Sequence, residues 1–308
     1  MAVLNERRAR MGLASLGLPS DVDVGASVRS IGAVETWTRL VADESGSLAA
    51  RRARAVDLDE VEGETEFARA RFVIPGDAEW PECLNDLDDR RIEATGGVPY
   101  GLWVRGAIRL DPQRPVAITG ARAATEYGMH VAESFAAQLA LDSSTVIASL
   151  SFGIEVAAIR GALAQEGYAP VVVLGAGLHH MRLSGSEQLV AELDERAIVI
   201  TEHAPSQPPS RAGFLARARL IAALSHVTVV VEAGQRSGAR LTARWAHELG
   251  RTVLAVPGPI TSYTSCLPHE LIQEGTANLV TCADDVVAAV APCTSAHSNA
   301  VHTEGDSA

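Results

Sequence analysis

The stretch "GFLARARLIAALSHVTVVVEAGQRSGARLTARWA", residues 213–246, brings together the residues best suited to chemistry in this chain. Phe214 stands beside Arg217 and Arg219, and a buried-looking strand leads into a Ser-Gly turn at Ser237 and Gly238, with Thr242 one turn further on. An aromatic ring next to two guanidinium groups suits a polyanion that also carries flat rings, with stacking and phosphate contact as the interactions on offer. In an extended segment Arg217 and Arg219, two residues apart, would point the same way. The alternative is that Phe214 belongs to the core and the arginines only solvate the start of a helix. The turn at Ser237 and Gly238 can cap a helix while leaving backbone N–H groups free for an anion.

Two other strand ends carry related turns. "VAITGARAATEYG" closes a strand at Gly120 and opens a helix after Arg122, so N–H groups and a guanidinium could face one phosphate, or Arg122 is an ordinary surface residue on a strand-to-helix turn. "VVVLGAGLHHM" begins like a dinucleotide fingerprint with Gly175 and Gly177, but His180 stands where the third glycine belongs and no ribose-binding acid follows in context. A nicotinamide dehydrogenase is excluded. The two glycines are read as permitting a tight turn or the close approach of a ligand. His179 and His180 read as surface residues, and no metal site or cofactor is expected. The four cysteines form no CxxC pair, which indicates neither zinc nor a disulfide framework.

The elements that must position these residues are short apolar runs alternating with helical segments from Val116 onward: "VAITG", "VIASL", "VVVLG", "AIVITE", "VTVVVE" and "TVLAVPG". The pattern predicts an α/β fold, an extended Rossmann-like, doubly wound and mostly parallel sheet with ligand-binding loops at the carboxyl ends of the strands. Earlier strands are expected at Phe72 to Ile74 and in "GLWVRG". Residues 1–66 show helix-like spacing and predict a small helical domain, 67–290 the sheet domain, and the small, polar 291–308 a disordered tail.

The chain has 308 residues and a net charge of −12, which by itself argues against nonspecific nucleic-acid binding. The charge is segregated, however. Residues 56–96 hold 13 acidic and 4 basic side chains, whereas 205–251 hold 7 basic and 2 acidic ones. A local arginine field on an acidic body can still take a polyanion. No apolar run reaches the ~20 residues of a membrane span, and the N-terminus lacks a secretory core; no membrane association and a cytoplasmic location are expected.

These motifs resemble, in order, those of the DNA-processing protein A family, also called Smf, from about Phe72 to about Val287. The blocks "VAITGARAATEYG", "VVVLGAGL", "VITEHAP", "GFLARARLIAALSHVTVVVEAGQRSGARLTA" and "VLAVPGPITSYTS" before "HELIQEGTANLV" carry the likeness, as does the helical N-terminal region. The resemblance implies a non-enzymatic protein that binds single-stranded DNA, loads the recombinase RecA and forms a homodimer. It assigns DNA contact to Gly120, Arg122, Gly153, Gly175, Gly177, Phe214, Arg217, Arg219, Ser237, Gly238 and Thr242.

The chain departs from the family pattern in several places. Glu155 stands where Asp is usual, Ala218 where Asn is usual, and Glu187 where Lys is common; the winged-helix domain that ends many members has no counterpart in the sequence. One rival is a nucleoside-monophosphate ribohydrolase on the same Rossmann variant, but "RSGARLTAR" offers no glutamate at the required place. A degenerate paralogue with a protein-interaction role is the other.

Overall fold

The computed structural model describes residues 3–18, 22–93, 95–182 and 187–290. The expected tail at 291–308 lies outside the described residues. Five helices come first: α1 (Glu6–Ser15), α2 (Val22–Ile31), α3 (Ala33–Ala42), α4 (Leu48–Ala55) and α5 (Leu58–Phe67). Asn5, Ser47 and Asp57 cap α1, α4 and α5 by accepting from backbone N–H groups of their first turns. Leu13, Leu16, Ala33, Trp37 and Ala53 form the core of this bundle. Gly12 is required there, because a Cβ would lie 2.7 Å from the Trp37 ring. A second cluster joins the bundle to the sheet, with Met11, Ala14 and Val61 packed among Phe72, Trp103 and Leu174.

The sheet region begins with β1 (Ala70–Val73), followed by the small pair β2 (Arg91–Ile92) and β3 (Thr95–Gly96), then β4 (Leu102–Arg105) and β5 (Val116–Thr119). Strands and helices then alternate: α6 (Glu126–Leu141), β6 (Val146–Ser149), α7 (Ile154–Leu163), β7 (Val171–Val173), α8 (Glu187–Arg196), β8 (Ile198–Thr201), α9 (Arg211–Leu224), β9 (Val227–Val230), α10 (Ala239–Glu248) and β10 (Thr252–Ala255). The chain continues through α11 (Cys266–Gln273), β11 (Asn278–Leu279) and α12 (Ala283–Ala289). All six apolar runs expected to be strands are strands. The strand expected at 72–74 is β1 at Ala70–Val73, and the two-residue strands β2, β3 and β11 have no counterpart among the expected ones.

The nine strands stand in the order β1-β4-β8-β7-β6-β5-β9-β10-β11. From β8 to β11 every pairing is parallel, and β4 pairs antiparallel with both β8 and β1. Strands β5, β6, β8 and β9 are buried at every residue, as helices on both faces demand, which is why they read as continuous apolar runs. Successive strands β5 to β8 step one way across the sheet, and β9 returns to the other side of β5. That reversal opens a crevice beyond the carboxyl ends of β5 and β9, where an open parallel sheet takes its ligand.

Candidate anion and nucleobase pocket

Three turns at this crevice are held together by close backbone approaches. Gly120 follows β5, and a Cβ there would lie 2.6 Å from both the Glu232 carbonyl oxygen and Ile154 Cγ1. Ala121 donates its N–H to the Glu232 carbonyl and accepts from Ile154 N–H, tying the turns after β5, β6 and β9 to one another. Gly153 before α7 has φ +79°, and a Cβ would meet the carbonyl oxygens of Ala121 and Arg122. The buried Glu232 carboxylate accepts from Thr125 N–H at 2.9 Å, Thr125 Oγ1 at 2.8 Å and Thr264 Oγ1 at 3.1 Å. Thr125 in turn caps α6, so the Arg122 loop is fixed at both ends.

Helix α9 supplies the next wall. Ser210 caps it by accepting from Gly213 N–H, and Phe214 and Arg217, three residues apart, share one face. The Phe214 ring is 38% exposed, and two guanidinium carbons stand over it, Arg122 Cζ at 5.4 Å and Arg217 Cζ at 5.5 Å from the centroid. Both distances fall in the cation–π range. Together with the start of α10, these elements enclose a cavity of about 710 Å³.

Seven of the eleven residues singled out from sequence line it: Gly120, Arg122, Phe214, Arg217, Ser237, Gly238 and Thr242. Four do not. Gly153 stands behind the Arg122 turn and holds it in place. Gly175 and Gly177 are buried, and the backbone they admit is the chain's own: a Cβ on Gly175 would lie 3.1 Å from the Gly213 carbonyl, and one on Gly177 2.1 Å from the Ala204 carbonyl. The close approach expected of a ligand is therefore made by the loop before α9 and by α9 itself.

The largest correction concerns Arg219. Residues 211–224 are helical, not extended, so Arg217 and Arg219 project about 200° apart around α9 instead of together. Arg219 is 1% exposed and points away from the cavity. Its Nη1 and Nη2 grip both oxygens of Glu202 at 2.6 and 2.7 Å, and its Nε donates to the carbonyls of Gly96 and Gly97. Burial pushes the Glu202 carboxyl up, but Arg219's charge and hydrogen bonds more than offset this and leave it below the ordinary carboxylate range. Arg219 is a structural ion pair, and no anion contact is assigned to it.

Gly238 is the N-cap of α10 and brings no side-chain cap; Ser237, one residue before it, accepts through its Oγ from Ala239 N–H at 3.3 Å. The free N–H groups expected there are mostly spoken for, since Arg240 and Leu241 donate to the carbonyls of Ser237 and Gly238. The cation at this turn is Arg236, which sequence reasoning passed over together with Arg211, Ser151 and Tyr263; Glu155, singled out in the sequence only as a departure from the family's usual Asp, lines the cavity too. Arg211 carries a legible signal once α9 is read as a helix, for it stands three residues before Phe214 as Arg217 stands three after.

Arg122, Arg211, Arg217 and Arg236 line one cavity, and none forms an ion pair within 4 Å among the described residues. Arg217 is the most confined of them. Among the described residues its guanidinium makes one hydrogen bond, a 3.5 Å contact from Nη1 to Ser151 Oγ, and its buried Nε has no partner. Burial pulls its pKa below the ordinary arginine value, Glu155 opposes that, and Arg122 adds to it. The Glu155 carboxylate at the cavity floor accepts from Thr119 Oγ1 at 2.9 Å and from Ser149 Oγ. A half-buried guanidinium whose buried Nε–H has no acceptor, set in a like-charged cluster, is completed by an incoming anion.

Among the described residues no three His, Cys, Asp or Glu side chains converge as a metal site would, and no helix is long and apolar enough to cross a membrane. Burial pushes the Cys83 thiol up to about 11, which makes it a poor nucleophile.

Comparison with known proteins agrees with this architecture. A family model described as DNA recombination-mediator protein A matches residues 71–291. A putative DNA processing protein DprA of Mycobacterium tuberculosis is 39% identical over 289 residues, which is 91% of this chain and 74% of the relative. The DprA of Streptococcus pneumoniae is 33% identical over 236 residues, covering 76% of this chain and 79% of the relative. The X-ray structure of S. pneumoniae DprA aligns with a TM-score of 0.74 at 26% identity, over 94% of this chain and 98% of that one. A structure of Helicobacter pylori DNA processing protein A, described for its single-stranded DNA binding mode, aligns with a TM-score of 0.62 at 21% identity, over 72% of this chain and 96% of that one. With its sheet order, its pocket and these matches taken together, the chain belongs to the DNA recombination-mediator protein A family.

Proposed function

We propose that the pocket grips single-stranded DNA, with Arg122, Arg211, Arg217 and Arg236 on backbone phosphates and Phe214 stacked on a base. The observation that carries this reading is the set of four cavity-lining arginines without carboxylate partners, two of which flank an exposed aromatic ring. Stacking on Phe214 tolerates any base, and a flexible strand can unstack a nucleotide to reach the ring where a duplex cannot. The single-stranded DNA binding described for the H. pylori relative supports the same choice of ligand. Family membership extends the proposal to RecA, recruited onto the held strand, to a homodimer as the working form, to a cytoplasmic location, and to action without catalysis.

The test is a titration of the full chain with oligo-dT and with the matching duplex at several salt concentrations. The expected result is tighter binding of the single strand and a log-log salt slope of up to about −2.8, from about 0.7 for each of four phosphates. Equal affinity for both forms, or binding indifferent to salt, would overturn the reading. Addition of RecA to the preformed complex should shorten the lag of its strand-dependent ATPase.

A further inference from the structure

Tyr263 is one of the most exposed aromatic residues of the sheet region, 63% exposed, and it lines the same cavity as Phe214. Its backbone is nevertheless pinned. Ala233 donates its N–H to the Thr264 carbonyl at 2.7 Å, Thr264 Oγ1 donates to the buried Glu232 carboxylate at 3.1 Å, and Ser262 and Thr264 share a hydroxyl hydrogen bond at 2.9 Å. The ring lies against Gly234, where a Cβ would fall 2.1 Å from Cε1. Glycine at 234 lets the ring settle directly on backbone, leaving the rest of it open to the cavity. A fixed backbone presenting an open aromatic ring over a cationic pocket is pre-organised for stacking and loses little freedom when a flat ring lands on it.

The two rings are anchored at different turns. Phe214 Cδ1 lies 3.1 Å from the Cβ position of Gly175, after β7, while Tyr263 lies on Gly234, after β9. Strands β6 and β5 stand between those two, so three inter-strand steps of about 4.8 Å separate the anchors by roughly 14 Å. One base sandwiched between two rings needs half that span.

Resting on the reading of the pocket as a single-strand site, we propose that Tyr263 is a second nucleobase platform, which holds a different base from the one on Phe214 and is presented by the Glu232–Thr264 tether. The pocket is then a site for at least two unstacked nucleotides, with the cationic groups between the rings facing the intervening phosphates.

Fluorescence anisotropy with labelled oligo-dT tests this in the full chain. Tyr263→Ala should weaken binding by roughly 5- to 150-fold, the range expected for one stacked base, at an unchanged salt slope. Tyr263→Phe, which keeps the ring, should bind within about twofold of the parent, and the Phe214→Ala and Tyr263→Ala losses should multiply in the double variant, as independent sites do. Parent-like binding by Tyr263→Ala would overturn the proposal, and so would a Tyr263→Phe variant as weak as the alanine. A double variant no weaker than either single one would overturn the assignment of two bases. If the parent protein fails to bind oligo-dT, the single-strand reading itself fails; if the parent binds and Phe214→Ala and Arg217→Ala weaken it while Tyr263→Ala does not, only the second platform is lost.

Discussion

Arg217 and Arg219 are two residues apart and chemically identical, yet the structure gives their replacement by alanine opposite consequences. Arg219→Ala removes a buried guanidinium that holds both oxygens of Glu202 and donates to the carbonyls of Gly96, Gly97 and Ala216. Glu202 is left as a buried carboxylate without its cation. Breaking one side of such a pair costs about 3 to 5 kcal/mol, a large share of a domain's total of roughly 5 to 15. At about 2 to 4 °C per kcal/mol for a unit of this size, the melting temperature should fall by roughly 6 to 20 °C. Arg217→Ala removes a half-buried cation with one long hydrogen bond and an unpartnered Nε, so its melt should stay within about 1 kcal/mol of the parent. Its oligo-dT affinity should drop, and the salt slope should shrink by about 0.7 as one phosphate contact disappears. Thermal melts paired with anisotropy titrations at several salt concentrations separate the two. An Arg219→Ala protein that melts normally, or one that at a folded temperature loses the same salt slope as Arg217→Ala, refutes the division of labour around α9.

Phe214→Ala should lose about 1 to 3 kcal/mol of oligo-dT affinity with little change in salt slope or melt, since a ring already 38% exposed contributes modestly to the core; a slope that falls as far as in Arg217→Ala would contradict stacking. Gly153→Ala combines a left-handed backbone with a Cβ 2.3 Å from the Ala121 carbonyl, so it should cost at least about 1 to 3 kcal/mol in chemical denaturation and weaken binding by displacing the Arg122 turn. Burial, with Arg219's charge adding and Glu202 opposing, holds the His203 imidazole below its ordinary 6.5, so the unfolded chain takes up the proton first and stability, complete above about pH 6.5, declines as the pH falls further. Denaturation series between pH 7.5 and 5.5 should show that decline and a shallower one in His203→Gln, with the remainder carried by His226, which burial and Arg251 hold low in the same way.

The strands were legible because a parallel sheet covered on both faces leaves no room for polar alternation, and runs such as "VTVVVE" and "AIVITE" therefore announce themselves. The location of the pocket followed from the same pattern, since glycines and arginines gather after the strands that flank the reversal of strand order. What failed was the local conformation of "GFLARAR". Half of its apolar side chains are alanine, which gives the segment little amphipathic contrast, and reading it as extended paired Arg219 with Arg217 where helical spacing pairs Arg211 with Arg217 through Phe214. Arg219's true partner, Glu202, lies 17 residues back at the end of β8, and no spacing rule links the two. Gly175 and Gly177 misled for a related reason: a glycine reports that something comes close, and only the three-dimensional path of the loop before α9 shows that the close neighbour is the chain itself.

The pocket floor raises a conflict between holding the protein together and holding its ligand. Glu155 is buried, accepts from Thr119 and Ser149, and supplies the negative charge that offsets the burial of Arg217. The same charge repels any phosphate that approaches Arg217, and the like charges of Arg122 and Arg217 make an arginine cluster without Glu155 harder to maintain in the empty protein. Glu155→Gln keeps an oxygen acceptor for one of the two hydroxyls and removes the charge. The consequence is a protein that melts lower, because Arg217 has lost its compensating charge, and binds oligo-dT several-fold more tightly, because the anion now supplies that compensation alone. Melting in the presence of saturating oligo-dT should then recover more in the variant than in the parent, as linkage between binding and folding requires. A variant that binds more weakly than the parent, with an unchanged melt, would show instead that Glu155 serves to aim Arg217 and that its charge does not compete with phosphate.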